Sequence, residues 1–202
     1  MNRIRFTGAA VAILVTAALA GCGGTGSATN DDGLAPSSSY SGPVPDFSGP
    51  WASEFAEAYR STTSEVVHEI LAKGSISDQD YADVSSAYVS CMSNKGLKAV
   101  VTGQFGESTV EGDGDVNAAN EACSGDFSVI SALRYSTSRN PQHLDESEIV
   151  VACLIKAKIA PPSYTANDYA ADLETQVFPF NTSAAGFYTC TSDPLGLSAS
   201  RG

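Results

Sequence analysis

The chain has 202 residues, 43% of them hydrophobic and 17% charged, and a net charge of −12. That length suits one core-forming domain plus a tail. So acidic a chain lacks the basic footprint that nucleic acid requires, which argues against a nucleic-acid partner and against direct adhesion to anionic headgroups. An acidic surface confers solubility and favours cationic partners.

Arg3 and Arg5 open the chain with no acid beside them, and Gly8 to Ala20 is an apolar run interrupted only by Thr16. The run is too short to span a bilayer, which takes about 20 apolar residues. A positive start, a short apolar core and small residues at its end define an export signal. The end reads Leu19-Ala20-Gly21-Cys22, which resembles the lipobox of bacterial lipoproteins. The resemblance covers about a tenth of the chain. It implies cleavage before Cys22, a diacylglycerol on its thiol, and a domain anchored in the cell membrane and facing outside the cytoplasm. Acyl burial contributes about 0.8 kcal/mol per CH₂, so a multi-chain anchor holds where a single chain is marginal. Residues 1–21 contain two cations and no acid, so the chain from Cys22 onward carries −14.

Gly23 to Pro50 contains 16 Gly, Ser or Pro in 28 residues, with only Leu34, Tyr40, Val44 and Phe47 as larger apolar side chains. So little apolar surface does not offset the entropy of ordering. Residues 22–50 are therefore expected to form a lipidated flexible linker, with a reach of about 30 Å. Residues 51–202 form the exported domain.

Helical patterns dominate that domain. Trp51, Phe55, Tyr59, Val66 and Ile70 recur at helical spacing up to a stop at Lys73-Gly74, which predicts one long helix. Ser77 and Asp80 form a capping box, with Ile76 and Tyr81 placed as its hydrophobic staple. That helix runs through Val84, Tyr88 and Cys91 to Gly96. Leu97, Ala99 and Val101 then alternate up to Gly103, and a small β-hairpin is expected over 97–111. The turn Gly112-Asp113-Gly114-Asp115 leads into the helix carrying Cys123. Asp145 to Ile149 opens the helix carrying Cys153, Pro161-Pro162 ends it, and Thr165 with Asp168 opens another. The fold class is mainly α with a minor hairpin.

With Cys22 set aside, Cys91, Cys123, Cys153 and Cys190 remain. An even number in an oxidising compartment implies two disulfides, and four cysteines admit three pairings. Cys91–Cys123 with Cys153–Cys190 is expected, because each pair would staple one half of the domain. Tyr88-Val89-Ser90-Cys91-Met92 parallels Val150-Val151-Ala152-Cys153-Leu154, which suggests two related halves. No C-x-x-C occurs, and no His lies close to a Cys, so neither zinc nor a thioredoxin-like pair is indicated.

Chemical motifs are thin. His68-Glu69 begins like H-E-x-x-H, but Ala72 stands where the second His belongs; His143 lies in a loop. No G-x-S-x-G or S-x-x-K is present. Asp113, Asp115, Asn117 and Glu121 begin like a calcium loop, then fail at Ala118 and Ser124, so a polar turn is expected there. Asn181-Thr182-Ser183 is read as a helix cap. Glu54/Glu57 and Asp168/Asp172 are spaced to face solvent. Tyr164, Tyr169, Phe178, Phe180, Phe187 and Tyr188 are read as core rather than as a ligand groove. No catalytic residue, metal ligand or cofactor site is assigned. The expected function is a non-enzymatic envelope protein that binds another protein or a cell-envelope component. The alternatives are a small-molecule or peptide receptor for a transporter or sensor, and a hydrolase with dispersed catalytic residues.

Overall fold

A computed structural model describes residues 40–102 and 107–197; the expected export signal and Cys22 lie outside the described residues. Among these, eight helices and one hairpin follow in order: α1 (Ala52–Arg60), α2 (Glu65–Leu71), α3 (Asp78–Asn94), β1 (Lys98–Thr102), β2 (Glu107–Glu111), α4 (Val116–Cys123), α5 (Gly125–Arg139), α6 (Glu146–Lys156), α7 (Ala166–Thr175) and α8 (Ala185–Ser192). None of them is a helix long and apolar enough to cross a membrane.

The long helix expected over 51–72 is two helices. Ser61 to Ser64 breaks it, because hydroxyls there offer the backbone other partners. Thr62 Oγ1 accepts from the Ser64 amide at 3.0 Å, and Ser64 Oγ accepts from the Val67 amide at 3.3 Å as the new N-cap. The break shifts the buried face by one residue: Val67 is fully buried, while Val66 is 52% exposed. The stretch from Tyr40 to Pro50, read above as the end of the linker, is held against these helices. The Tyr40 amide donates to Arg60 O, its ring meets Tyr59 and His68 edge-on, and Phe47 packs on Phe55.

The capping signals are realised. Ser77 and Asp80 form the reciprocal box at α3, Thr165 and Asp168 repeat it at α7, and Asp145 caps α6. The hairpin is antiparallel, from Lys98 opposite Glu111 to Thr102 opposite Glu107. Leu97 and Ala99 point into the core, while Val100 is exposed. Gly112 and Gly114 fold the next turn onto the end of α3. A Cβ on Gly114 would lie 2.6 Å from Lys95 O, an approach only glycine permits.

Two cores result. The first joins α1–α5 and the hairpin around Leu71, Met92, Leu97 and Ile130, with Tyr88 stacked on Phe127 at 4.7 Å. The second joins α6–α8 around Val150, Val151, Leu154, Tyr164, Tyr169 and Cys190. The disulfides are Cys91–Cys123 and Cys153–Cys190, one beside each core. Each closes a loop worth about 3–4 kcal/mol in the chain-entropy model.

A polar seam joins the cores. Arg139, only 7% exposed, pairs with Glu146 and donates to the carbonyls of Thr191 and Ser192. Fully buried Asn140 donates to Leu144 O and Glu146, and its carbonyl accepts from Trp51 Nε1 at 2.8 Å. A buried guanidinium this well supplied with acceptors meets the condition under which buried charge is tolerated.

Candidate functional site

α6 is apolar over seven consecutive residues, Ile149 to Ile155. A helix on the surface of a core needs only one apolar stripe, and a helix apolar all round needs cover on its other side. Val150, Val151 and Leu154 face the second core. The face bearing Ile149, Ala152, Cys153, Lys156 and Ala157 is left to line an open groove of ≈ 550 Å³. These positions follow the i, i+3, i+4 spacing of one helix face. Gly186, Thr189 and Cys190 of α8 form the opposite wall, and Asp193 to Gly196 close one end.

The groove depends on two local devices. Gly186 brings α8 against the end of α6: a Cβ there would lie 2.8 Å from Ile159 Cδ1. Asp193 holds the closing turn, since its carboxylate accepts from the Leu197 amide at 2.8 Å and its carbonyl from Gly196. The Cys153–Cys190 bond ties the two walls together. Lys156 is exposed on the lining and forms no ion pair among the described residues. The result is an apolar trough with a cation beside it. Its volume falls in the range of small-ligand sites, about 300–1,000 Å³.

The other candidate residues have local partners. His68 is half-buried, stacked on Tyr59 at 3.9 Å, with Nε2 at 2.9 Å from Tyr59 O and 3.0 Å from Thr62 O. Both are acceptors, so Nε2 carries the hydrogen and the ring fastens the α1–α2 corner. His143 sits at φ 52°, 3.0 Å from Glu54 and edge-on to Trp51 at 4.1 Å. Partial burial works against ionisation of Glu54, but hydrogen bonds from Ser53 and its own backbone, with His143 nearby, outweigh it and lower its pKa.

Asp115 caps α4 by accepting from the Ala118 amide, and no three His, Cys, Asp or Glu among the described residues converge as metal ligands. Asn181 accepts from the Ser183 amide, and the N-cap of α8 is Ala184, so the cap expected from Thr182 or Ser183 is an Asx turn instead. Tyr164, Tyr169, Phe178, Phe180 and Phe187 build the second core, leaving Tyr188 67% exposed. Buried Tyr164 donates to Asp172 at 2.6 Å; burial first, and that carboxylate second, raise its pKa far above normal. Asp172 is thus engaged rather than free in solvent.

Of the groove residues, sequence singled out Cys153 and Cys190, as a disulfide, and Ile149, as a helix start, but none as lining a groove. Their signal was present in the apolar length of α6, which exceeds what a single core face uses.

No family model, curated protein or solved structure matches this chain.

Proposed function

We propose that this protein is a lipid-anchored extracytoplasmic binding protein, fixed to the cell membrane through Cys22 and non-enzymatic, which takes up a cell-envelope component in the α6–α8 groove. One observation carries the reading: among the described residues, Ala152, Lys156 and Ala157 lie exposed on the α6 side of an open groove, beside a disulfide that ties its two walls together. Open apolar concavities on a soluble domain mark binding sites, because leaving them uncovered has a cost that packing could otherwise remove. The lipobox resemblance and the Gly/Ser/Pro-rich segment supply the address and the reach. The groove volume also suits a second reading, a receptor that passes a small molecule or peptide to a transporter or sensor.

Two measurements test this. Replacing Cys22→Ser should move the protein from the membrane fraction to the soluble fraction; retention in the membrane would remove the anchor from the reading. The exported chain should melt higher with one class among envelope lipids, cell-wall fragments and peptides. A ligand at 100 times its Kd stabilises by about 2.7 kcal/mol, a shift of several degrees at this size. Ala152→Trp, which fills the groove from an exposed position, should abolish the shift. A shift that survives Ala152→Trp would place the binding elsewhere.

A further inference from the structure

Three segments distant in sequence meet in a second open cleft, of ≈ 350 Å³: the approach to α1, the turn between α2 and α3, and the end of α5. Its size lies within the range of small-ligand sites, about 300–1,000 Å³. Trp51, the chain's only tryptophan, lines it. The indole is fixed in place: Nε1 donates to Asn140 O at 2.8 Å, and His143 meets the ring edge-on at 4.1 Å. With its N–H engaged there, the indole has only carbon surface to offer a ligand. Hydroxyls accompany it. Ser48 and Ser75 are exposed, and neither hydroxyl has a partner among the described residues. Thr137 Oγ1 donates to Leu133 O at 2.9 Å; a hydroxyl has one hydrogen and two lone pairs, so this oxygen can still accept. No charged side chain among the described residues lines the cleft. The charged residues flanking its segments are paired elsewhere, Lys73 with Asp80, Arg139 with Glu146 and Glu54 with His143.

We propose that this cleft binds a neutral saccharide, one pyranose face stacked on Trp51 and the sugar hydroxyls bonded to Ser48, Ser75 and Thr137. A pyranose carries C–H bonds on its faces and hydroxyls round its rim, each able to donate and to accept. The lining has the same division, one apolar ring amid hydroxyls. A charged ligand would give up water without gaining a counter-charge, and a wholly apolar one would cover the hydroxyls without pairing them. The cleft shares no lining residue with the α6–α8 groove, so the proposal does not depend on the groove reading.

The test is titration of the full-length chain, purified in a detergent without a sugar headgroup, with chitotriose and maltotriose. Calorimetry and the emission of Trp51 are read together. Fully deacetylated chitotriose, cationic on the same skeleton, is the control. At least one neutral trimer should bind at least fivefold more tightly than the cationic trimer, although an acidic chain attracts the cation. Its binding should change the Trp51 emission. Thr137→Val keeps the side-chain shape and removes the hydroxyl, and Ser75→Tyr obstructs the cleft from an exposed turn. Each should weaken binding at least threefold, with unchanged melting to confirm the fold. Both are preferred to Trp51→Ala, which also cuts the bond to Asn140. Ala152→Trp in the groove should leave saccharide binding unchanged by calorimetry. No binding of either neutral trimer, parity with the cationic trimer, binding without a change in Trp51 emission, or indifference to both Thr137→Val and Ser75→Tyr would overturn the proposal. Glucose and N-acetylglucosamine are titrated beside the trimers: tighter binding of a trimer identifies a polymer as the source, and equal affinity a free sugar.

Discussion

Gly96 and Lys158 occupy the same position in two copies of one helix ending. The Leu97 amide returns to Met92 O and the Gly96 amide to Ser93 O; likewise the Ile159 amide returns to Leu154 O and the Lys158 amide to Ile155 O. This is the Schellman arrangement, with a left-handed residue at its centre and a hydrophobic residue after it. In each copy a disulfide-bonded cysteine, Cys91 or Cys153, immediately precedes the first of these carbonyl residues. The two halves therefore repeat a helix, a bridge and an ending, and then diverge into a hairpin in one and α7 in the other. Lys158→Gly should stabilise the fold by about 0.5–1 kcal/mol, about 1–4 °C in Tm at this size. A calorimetric melt of the variant beside the parent reads the shift.

Gly96 and Gly114 separate two reasons for glycine. A Cβ on Gly96 meets nothing within 4 Å, whereas one on Gly114 collides with Lys95 O. Gly96→Ala should cost only the backbone preference, about 1 kcal/mol. Gly114→Ala should cost about 2–3 kcal/mol, because backbone must move. Urea unfolding of both variants checks the order, and equal losses would contradict the packing of this turn on α3.

The seam at Arg139 gives a third prediction. Glu146→Ala leaves a guanidinium that is 8% exposed without its carboxylate. The expected loss is about 2–3 kcal/mol, below the about 3–5 kcal/mol of a fully buried pair, since the Glu146 side chain is 47% exposed. Trp51 is the only tryptophan and donates to Asn140 O, so its fluorescence should report loosening of the seam ahead of the global transition.

Asp80 predicts the acid limb of the stability curve. Its partial burial opposes ionisation, but hydrogen bonds from Lys73 and Ser77, with the Lys73 charge, prevail and hold its pKa below 3.8. The unfolded carboxylate takes up its proton first as pH falls, so the unfolded state binds more protons between the two pKa values. The stabilisation is thus complete above about pH 5 and lost as pH falls through the folded pKa. Asp80→Asn should cost about 1–2 kcal/mol at pH 7, through the lost capping box and ion pair. Its deficit relative to the parent should shrink towards pH 2, as followed by urea unfolding across that range.

Features decided within a few residues were legible. Ser77, Thr165 and Asp145 cap helices because an oxygen beside an amide needs no distant partner, and the hairpin follows from the alternation at Leu97, Ala99 and Val101. The disulfide pairing was legible because each half carries its own two cysteines. The break at Ser61–Ser64 was not, because the apolar spacing of Tyr59 and Val66 passes across it; the four hydroxyl residues were the opposing signal. α5 also went unread, although Phe127, Ile130 and Arg134 fall on one face. The groove and the seam depend on which helices meet, and local pattern does not encode that. Arg139 and Asn140 look like any polar helix end until α6 and α8 arrive beside them.

The placement of the two bridges makes the folded chain a pair of covalent rings, 91–123 and 153–190, with no bridge between them. A protease nick inside either ring leaves the molecule in one piece until a reductant is added. A nick between Pro141 and Asp145 yields two fragments that no bridge joins, held by the Arg139 seam and neighbouring contacts. With the amino-terminal anchor proposed above, such a cut would release the half that bears the groove and leave the tethered half behind.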